Sequence, residues 1–327
     1  MTARSAGSCS RKGNSTCSTC ASVKSPAATA NSGRPRLETM KQLIITSDDF
    51  GLSDGVNRAV EQAWRNGILT SASIMAGGEA FDGALDVSRR NPGLQVGLHL
   101  TLVQGRSVLP ADAIPGLVDE RGYFPDNPVA AGMRYYFDRG LRNQLKREIE
   151  AQLARARDAG IALSHIDGHL NIHLHPTVFS LLTELMPRYA IASIRLSRER
   201  LTHNLRFNRE RLAGKAMERL IFGSLARHAR PTLDRMGIRY AAEVKGVLNS
   251  GRMTEGYILA ILDGLNRGLT EIYFHPGCLP DAEITRRMPD YRHQEELAAL
   301  MSPRVRQKLT DLEIELTSYR GDRKYHA

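Results

Sequence analysis

Short apolar runs alternate with stretches in which apolar residues recur every three or four positions, from residue 41 onward. Short uninterrupted runs are typical of buried β-strands, whereas the 3/4 spacing indicates amphipathic helices. The pattern predicts a first helix between an N-cap at Ser53 and an end at Gly67. Further helices are predicted at 79–90, 141–159, 177–189, 254–266 and 293–301. Strands are predicted at 43–46, 68–76, 94–103, 163–166, 191–196, 240–247, 271–274 and 314–318.

The repeated strand–helix order predicts a mainly parallel sheet. Residues with useful chemistry lie late in the predicted strands or directly after them: Asp48 and Asp49, His99, His165 and His169, and His275. In a (β/α) barrel such residues meet around one pocket, whereas an open doubly wound sheet spreads them along a crevice. We favour a barrel, because four separate strands must contribute to one site.

Two segments break the alternation. Residues 104–139 hold four prolines and predict a long loop, which is either a functional lid or a plain surface insertion. Residues 1–39 are rich in small and polar residues without a hydrophobic period, so we predict a disordered tail there. This leaves a single domain at 40–327, with Met40 as a candidate start.

The distribution of charge and of cysteines indicates the partners and the cellular compartment of the protein. Of the net +10, residues 1–39 carry +5 and residues 195–239 carry +8, so the remainder is near neutral and a nucleic-acid partner is not predicted. The basic amphipathic segment 195–239 either lies on an anionic membrane surface or packs on the barrel as a solvated helix. Only Cys278 lies in the domain, which indicates a reducing compartment. We therefore expect a cytoplasmic protein, with peripheral contact to the inner face of the membrane as one interpretation of the segment.

The candidate chemistry is a set of imidazoles and carboxylates, the ligands that divalent transition metals use. Asp48 and Asp49 have different roles only if the backbone turns at Phe50–Gly51; otherwise one of them simply caps the following helix. His99 lies in an apolar strand, where a core residue and a ligand are both open interpretations. Asp167 either orients a ligand histidine or occupies a turn.

The histidines at 165, 169 and 173 are spaced four apart, as on one helical face. A zincin protease needs a glutamate directly after the first of them, and Ile166 stands there, so that interpretation fails. A polar surface loop remains an alternative for this cluster. Four further histidines have no partner signal and are predicted to be surface residues: His203, His228, His293 and His326.

Five ordered motifs resemble the YdjC family of carbohydrate deacetylases: SDDFGLS (47–53), NGILTS (66–71), GLHL (97–100), HIDGH (165–169) and YFHPG (273–277). The stretch GLHLTLVQGRSVLP (97–110) is similar to the hopanoid-biosynthesis-associated HpnK subgroup. The resemblance implies a distorted (β/α) barrel with one divalent metal on Asp49, His99 and His169. It implies Asp48 as general base and His275 as a substrate-facing general acid. Asn171 replaces a histidine that family members usually carry, which puts a substrate contact or proton relay in question.

Three functions compete at this point. The leading hypothesis is a metal-dependent N-deacetylase acting on an acetylated amino sugar, carried on a hopanoid lipid in the subgroup's case, with zinc favoured over magnesium by the two histidine ligands. The second hypothesis is a metal-dependent hydrolase that acts on phosphoesters or on other bonds, although the sequence contains no glycine-rich phosphate loop. The third is a non-catalytic, membrane-associated binding protein.

Overall fold

Seven strands form one parallel sheet in the computed structural model, which describes residues 40–200 and 212–322. The strands are β1 (Lys41–Phe50), β2 (Ser71–Ile74), β3 (Gln95–Leu100), β4 (Ile166–Gly168), β5 (Glu243–Lys245), β6 (Gly268–Phe274) and β7 (Ile314–Leu316). The helices are α1 (Asp54–Asn66), α2 (Phe81–Arg90), α3 (Pro128–Phe137), α4 (Arg142–Asp158), α5 (Pro176–Leu185), α6 (Leu212–Met236), α7 (Glu255–Asp263), α8 (Ala282–Arg287), α9 (His293–Met301) and α10 (Pro303–Asp311). Short 3₁₀ turns lie at Ala111–Ala113, Arg139–Leu141, His169–Leu174 and Met186–Tyr189.

The sheet has the order β4-β3-β2-β1-β6-β5, with β7 paired to the start of β1. It curls into a half-barrel whose two edges are linked by the segment 193–198. Ile194 bridges to Ile166 in β4, and the N–H of Val244 in β5 donates to the Arg198 carbonyl at 2.9 Å. The predicted distorted (β/α) barrel in a single domain is therefore confirmed.

Every helix within residues 40–200 and 212–322 is too short or too polar to cross a bilayer.

The first helix begins and ends where its sequence signals predict. The Ser53 hydroxyl accepts the N–H of Val56 at 3.3 Å, and Gly67 is the C-cap. Because Ser53 supplies the cap, the alternative that Asp48 or Asp49 caps this helix is wrong.

Several predicted elements differ from the structure. The segment 104–139 is not a plain loop, because α3 forms within it behind a cap at Asn127, whose side chain accepts two backbone N–H groups. The strand predicted at 163–166 starts at its last residue, Ile166. Residues 191–196 make isolated bridges rather than a strand. The basic segment 195–239 is not one element, because its first residues link the sheet edges and α6 covers most of its second half. Residues 201–211, in the middle of the segment, and the predicted tail 1–39 lie outside the described residues.

Helix α4 holds the end of β3 in place. Its apolar stripe, Leu145, Ile149 and Leu153, is completely buried. The buried side chain of Gln152 bonds the backbone of Thr101 on both sides, accepting its N–H at 3.0 Å and donating to its carbonyl at 2.7 Å. These bonds fix the chain directly after His99.

Replacing Glu199 by glutamine is expected to stabilise the protein at alkaline pH. Burial raises the pKa of Glu199 from the usual 4.5 to about 7, although the hydrogen bond from the Leu248 N–H and the positive charge of Lys245 both lower it. Its contribution to stability is therefore complete below pH 4.5 and lost as the pH rises through 7. Urea unfolding should give Glu199→Gln an advantage of about 2 kcal/mol near pH ~8.5 that shrinks toward pH ~5. The exposed Glu120→Gln is the control, and equal gains in both variants would contradict the assignment.

Candidate active site

Asp49, His99 and His169 converge at the carboxyl edge of the sheet, and one potential ligand atom from each lies within 4.8 Å of the others. The Asp49 Oδ1 atom is 3.3 Å from His99 Nε2 and 3.0 Å from His169 Nδ1. These residues come from the end of β1, from β3 and from the turn that follows β4. The three positions predicted as metal ligands are thus brought together by the fold.

A β-bulge at the end of β1 separates the two adjacent aspartates. Ser47 pairs with Ala72 and Phe50 with Ile74, so β1 has one residue more than β2 between these pairs. Asp49 has a φ of 59°, a left-handed conformation that Asp tolerates better than most residues. The turn needed to give the two aspartates different surroundings therefore exists at the predicted Phe50–Gly51, directly after the left-handed Asp49. The N–H of Leu52 donates to the Asp49 carbonyl at 2.9 Å, and Gly51 has a φ of 90°.

The charge and hydrogen bonding of Asp49 suit a cation. Burial raises the pKa of its carboxyl, but His169 and His99 outweigh burial and bring it well below its usual value. Its Oδ2 atom is buried and has no hydrogen-bond partner. Buried carboxylate oxygens normally have a partner, and a divalent ion held by one carboxylate and two imidazoles satisfies this one.

Asp167 fixes the ring of His99. The two residues pair in register across β3 and β4, and the His99 Nδ1–H donates to Asp167 Oδ1 at 2.8 Å. Asp167 also accepts from Ser73 at 2.6 Å and from Arg195 at 2.8 Å. Burial lowers the pKa of His99, but Asp167 and Asp48 raise it to about 10. Asp167 lies in a strand, so the turn interpretation is wrong, and its contact leaves His99 Nε2 facing Asp49.

Asp167→Asn is expected to weaken divalent-metal affinity by about 10- to 100-fold, because the ring of His99 loses the anionic acceptor that sets its orientation. Titration calorimetry with zinc on the metal-free protein measures this. Ser73→Ala, which removes a hydroxyl but leaves the carboxylate, should stay within about threefold of the wild type. Unchanged affinity in a folded Asp167→Asn protein would show that the contact does not tune the site.

Arg195 is a buried cation of the site that the sequence pattern did not identify. Its guanidinium makes two 2.7 Å bonds to Asp48 and also donates to Glu271 at 2.9 Å. Burial raises the pKa of Asp48 to about 6 even though Arg195 lowers it. A charged residue between Ile194 and Leu196 in an apolar run was the available signal. One guanidinium faces Asp48, Asp167 and Glu271, so the pocket remains rich in negative charge.

His275 follows β6 and is held through its backbone by α9. Its N–H donates to Glu296 at 2.5 Å, and its carbonyl accepts from His293 Nδ1 at 2.7 Å. His293 is therefore buried, and its predicted surface position is wrong. Burial lowers the pKa of His275 to about 3 despite the charge of Asp49, and its buried Nδ1 has no partner.

The other histidines are not part of the Asp49, His99 and His169 group. The buried ring of His165 lies 3.0 Å from the Ser73 hydroxyl and stacks on Tyr319. His173 is also buried, bonds the Arg195 carbonyl at 2.9 Å, and has its pKa lowered by burial to about 4. The polar surface loop is thus wrong for this cluster. His228 is exposed as predicted, and His203 and His326 lie outside the described residues.

Asn171 occupies the position where the resemblance implies a histidine. It and Leu170 are consecutive left-handed residues, with φ of 58° and 51°, directly after His169. Its Oδ1 accepts the Ser197 hydroxyl at 2.5 Å, which ties this turn to the segment that links the sheet edges.

Two adjacent clefts lead outward from His169. The inner one, about 270 Å³, is lined by His169, Leu52, Met75 and Met288. It shares Gln104, Asp126, Arg286 and Arg287 with an outer cleft of about 640 Å³. The outer cleft is largely built from the segment 104–139, so this insertion lines the approach to the site.

Comparison with known proteins gives consistent matches over most of the chain. The sequence model of YdjC-like proteins matches residues 42–311. A carbohydrate deacetylase of Thermoanaerobacter pseudethanolicus is 30% identical over 86% of this chain and 98% of its own. One from Geobacillus stearothermophilus is 29% identical over 85% and 96%. The crystal structure of a putative cellobiose-phosphate cleavage protein from Enterococcus faecalis has a TM-score of 0.67 at 24% identity, covering 86% of this chain and 98% of that one, which shows the shared fold.

Proposed function

The chain belongs to the YdjC-like protein family, and from this premise we propose that it is a carbohydrate deacetylase that removes the N-acetyl group from an amino sugar. The observation that carries the proposal is the convergence of Asp49, His99 and His169 beside the Asp48–Arg195 pair. A binding module needs no such group of buried ionisable residues, whereas amide hydrolysis needs an electrophilic centre and a base close together.

Asp49, His99 and His169 are proposed to hold one divalent ion, with zinc favoured and magnesium as the alternative. The unpartnered Oδ2 of Asp49 and the excess of buried carboxylates support this assignment. When bound, such an ion acts as a Lewis acid and lowers the pKa of water. His99 contributes Nε2, since Asp167 holds its other nitrogen.

Asp48 is proposed as the general base that takes a proton from the attacking water. A pKa of about 6 leaves it ionised at neutral pH and close to the optimum for a proton acceptor. Arg195 holds both of its oxygens from one side, which fixes the carboxylate plane. Each oxygen keeps a lone pair for a further hydrogen bond.

His275 is proposed as the group that protonates the departing amine. Its ring is neutral in the structure because burial lowers its pKa to about 3. Negative charge that develops on the substrate carbonyl favours the imidazolium, so the ring takes a proton from solvent and passes it to the nitrogen of the breaking C–N bond, while Asp48 returns the proton of the attacking water to solvent. Glu296 and His293 hold its backbone while this occurs.

We propose that the substrate is an N-acetylglucosamine carried on a hopanoid lipid. We further propose that the protein is cytoplasmic and contacts the inner face of the membrane through residues 195–239. We extend the same proposal to the organisation of the chain, a tail at 1–39 and a deacetylase domain at 40–327. The motif at 97–110 supports the subgroup, and the exposed apolar residues of α6, Met217, Leu220 and Ile221, support the contact.

The proposal is tested by measuring acetate release from N-acetylglucosamine-bearing lipids and from chitooligosaccharides, together with the metal content of the purified protein. We expect acetate release that a chelator abolishes and added zinc restores. Phosphate release from phosphoesters without acetate release would replace the proposed reaction by phosphoester hydrolysis. Faster turnover of chitooligosaccharides than of the lipid would keep the deacetylase and reject the lipid-linked substrate.

A further inference from the structure

Helix α3 exposes an unusual apolar face. Val129, Met133, Tyr136 and Phe137 are 73%, 56%, 57% and 67% exposed. Their spacing of four, three and one residues places them on one side of the helix. Large exposed apolar groups on one surface mark a contact with another molecule or a membrane.

The opposite side of α3 is firmly anchored, so this face is held outward rather than displaced from the core. Ala131 and Tyr135 are buried, and the Tyr135 hydroxyl donates to the Leu102 carbonyl at 2.7 Å. The ring of Tyr136 lies edge-on to Phe137, with 5.0 Å between their centres. Two aromatic rings at the tip of a fixed helix suit a boundary between water and an apolar phase.

The charges beside the face are mainly positive. Arg134, Arg139 and Arg142 are exposed, and within the described residues none of them forms an ion pair with a carboxylate. Arg134 donates to the Gly116 carbonyl and Arg142 to the Ser180 hydroxyl. The neighbouring acid, Asp138, accepts the N–H of Gly140. Apolar residues bordered by arginines complement an anionic lipid surface better than a neutral protein surface.

We infer that α3 docks the protein onto an anionic lipid bilayer, with Met133, Tyr136 and Phe137 inserted among the headgroups. The helix also borders the site: Arg134 lines the outer cleft, and Tyr136 packs near His175 at the end of the turn that carries His169. The docking itself is independent of deacetylation. Its consequence, that a lipid-borne sugar meets the cleft without leaving the bilayer, rests on the proposed function.

Vesicle co-sedimentation tests this surface. The full chain should bind vesicles of phosphatidylcholine with about 30% phosphatidylglycerol, and bind pure phosphatidylcholine weakly. Met133→Gln/Phe137→Gln should lower the bound fraction by at least about fivefold, with unchanged thermal unfolding because both side chains are exposed. Arg139→Gln/Arg142→Gln should reduce binding to the anionic vesicles, whereas the charge-matched control Arg89→Gln/Arg304→Gln, on other exposed surfaces, should not.

Equal vesicle binding by the wild type and Met133→Gln/Phe137→Gln would overturn the inference, as would a wild type that binds no vesicles. A wild-type dimer that becomes monomeric in this variant, without vesicle binding, would assign the face to a second copy of the chain. Acetate release from a soluble acetamido sugar, measured in parallel, should be the same in both proteins. Vesicle binding without any acetate release would keep the docking surface and reject the proposed function.

Discussion

Asp49→Asn and His169→Ala are each expected to lose bound metal and nearly all deacetylase activity. Asp49 supplies the carboxylate that both imidazoles face, and asparagine tolerates its left-handed backbone better than alanine does. Loss of one of three ligands should reduce kcat/KM by at least about 10³-fold, equivalent to about 4 kcal/mol of transition-state stabilisation.

Metal analysis and acetate release on the same protein samples measure this effect. Asp54→Asn is the matched control, since Asp54 is an exposed carboxylate on α1 and should retain both properties. Thermal unfolding distinguishes loss of the ion from loss of the fold. Full activity in folded Asp49→Asn and His169→Ala proteins would remove both residues from the site.

Arg195→Met is expected to have the largest effect on stability. It leaves the buried carboxylates of Asp48, Asp167 and Glu271 without their shared cation, and such a loss typically costs about 3–5 kcal/mol. The melting temperature should fall by on the order of 10 °C. Arg90→Met, which removes a solvent-exposed pair with Glu61, should lower the melting temperature far less.

The loss of unfolding free energy in Arg195→Met should depend on pH. Arg195 lowers the pKa values of Asp48 and Asp167, so without it both carboxyls hold protons to higher pH in the folded state. Groups with a raised folded pKa contribute stability at low pH that is lost as the pH rises. Urea unfolding should therefore give the greatest difference from the wild type near neutral pH and a smaller one near pH ~5. A constant difference would mean that lost packing, rather than charge, explains the variant.

Local signals predicted the features that depend on local sequence. The cap at Ser53, the end at Gly67 and the bounds of α9 follow from side chains within a few residues. The parallel sheet follows from strand–helix alternation, and it places the ends of β1, β3 and β4 at one edge. The convergence of Asp49, His99 and His169 could therefore be anticipated.

The remaining features depend on contacts between distant parts of the chain. Arg195 was counted with a basic surface segment, because its three carboxylate partners lie 28 to 147 positions away in sequence. The β-bulge depends on register with β2, which the sequence of β1 does not encode. His293 was predicted at the surface because its partner, the backbone carbonyl of His275, carries no side-chain signal.

The most direct test of the metal centre is an anomalous difference map from crystals grown with zinc, with data collected on both sides of the zinc absorption edge. We predict one strong peak at about 2.0–2.2 Å from an oxygen of Asp49 and from one nitrogen each of His99 and His169. A well-ordered map in which zinc binds elsewhere, with no peak between these three side chains, would contradict this prediction.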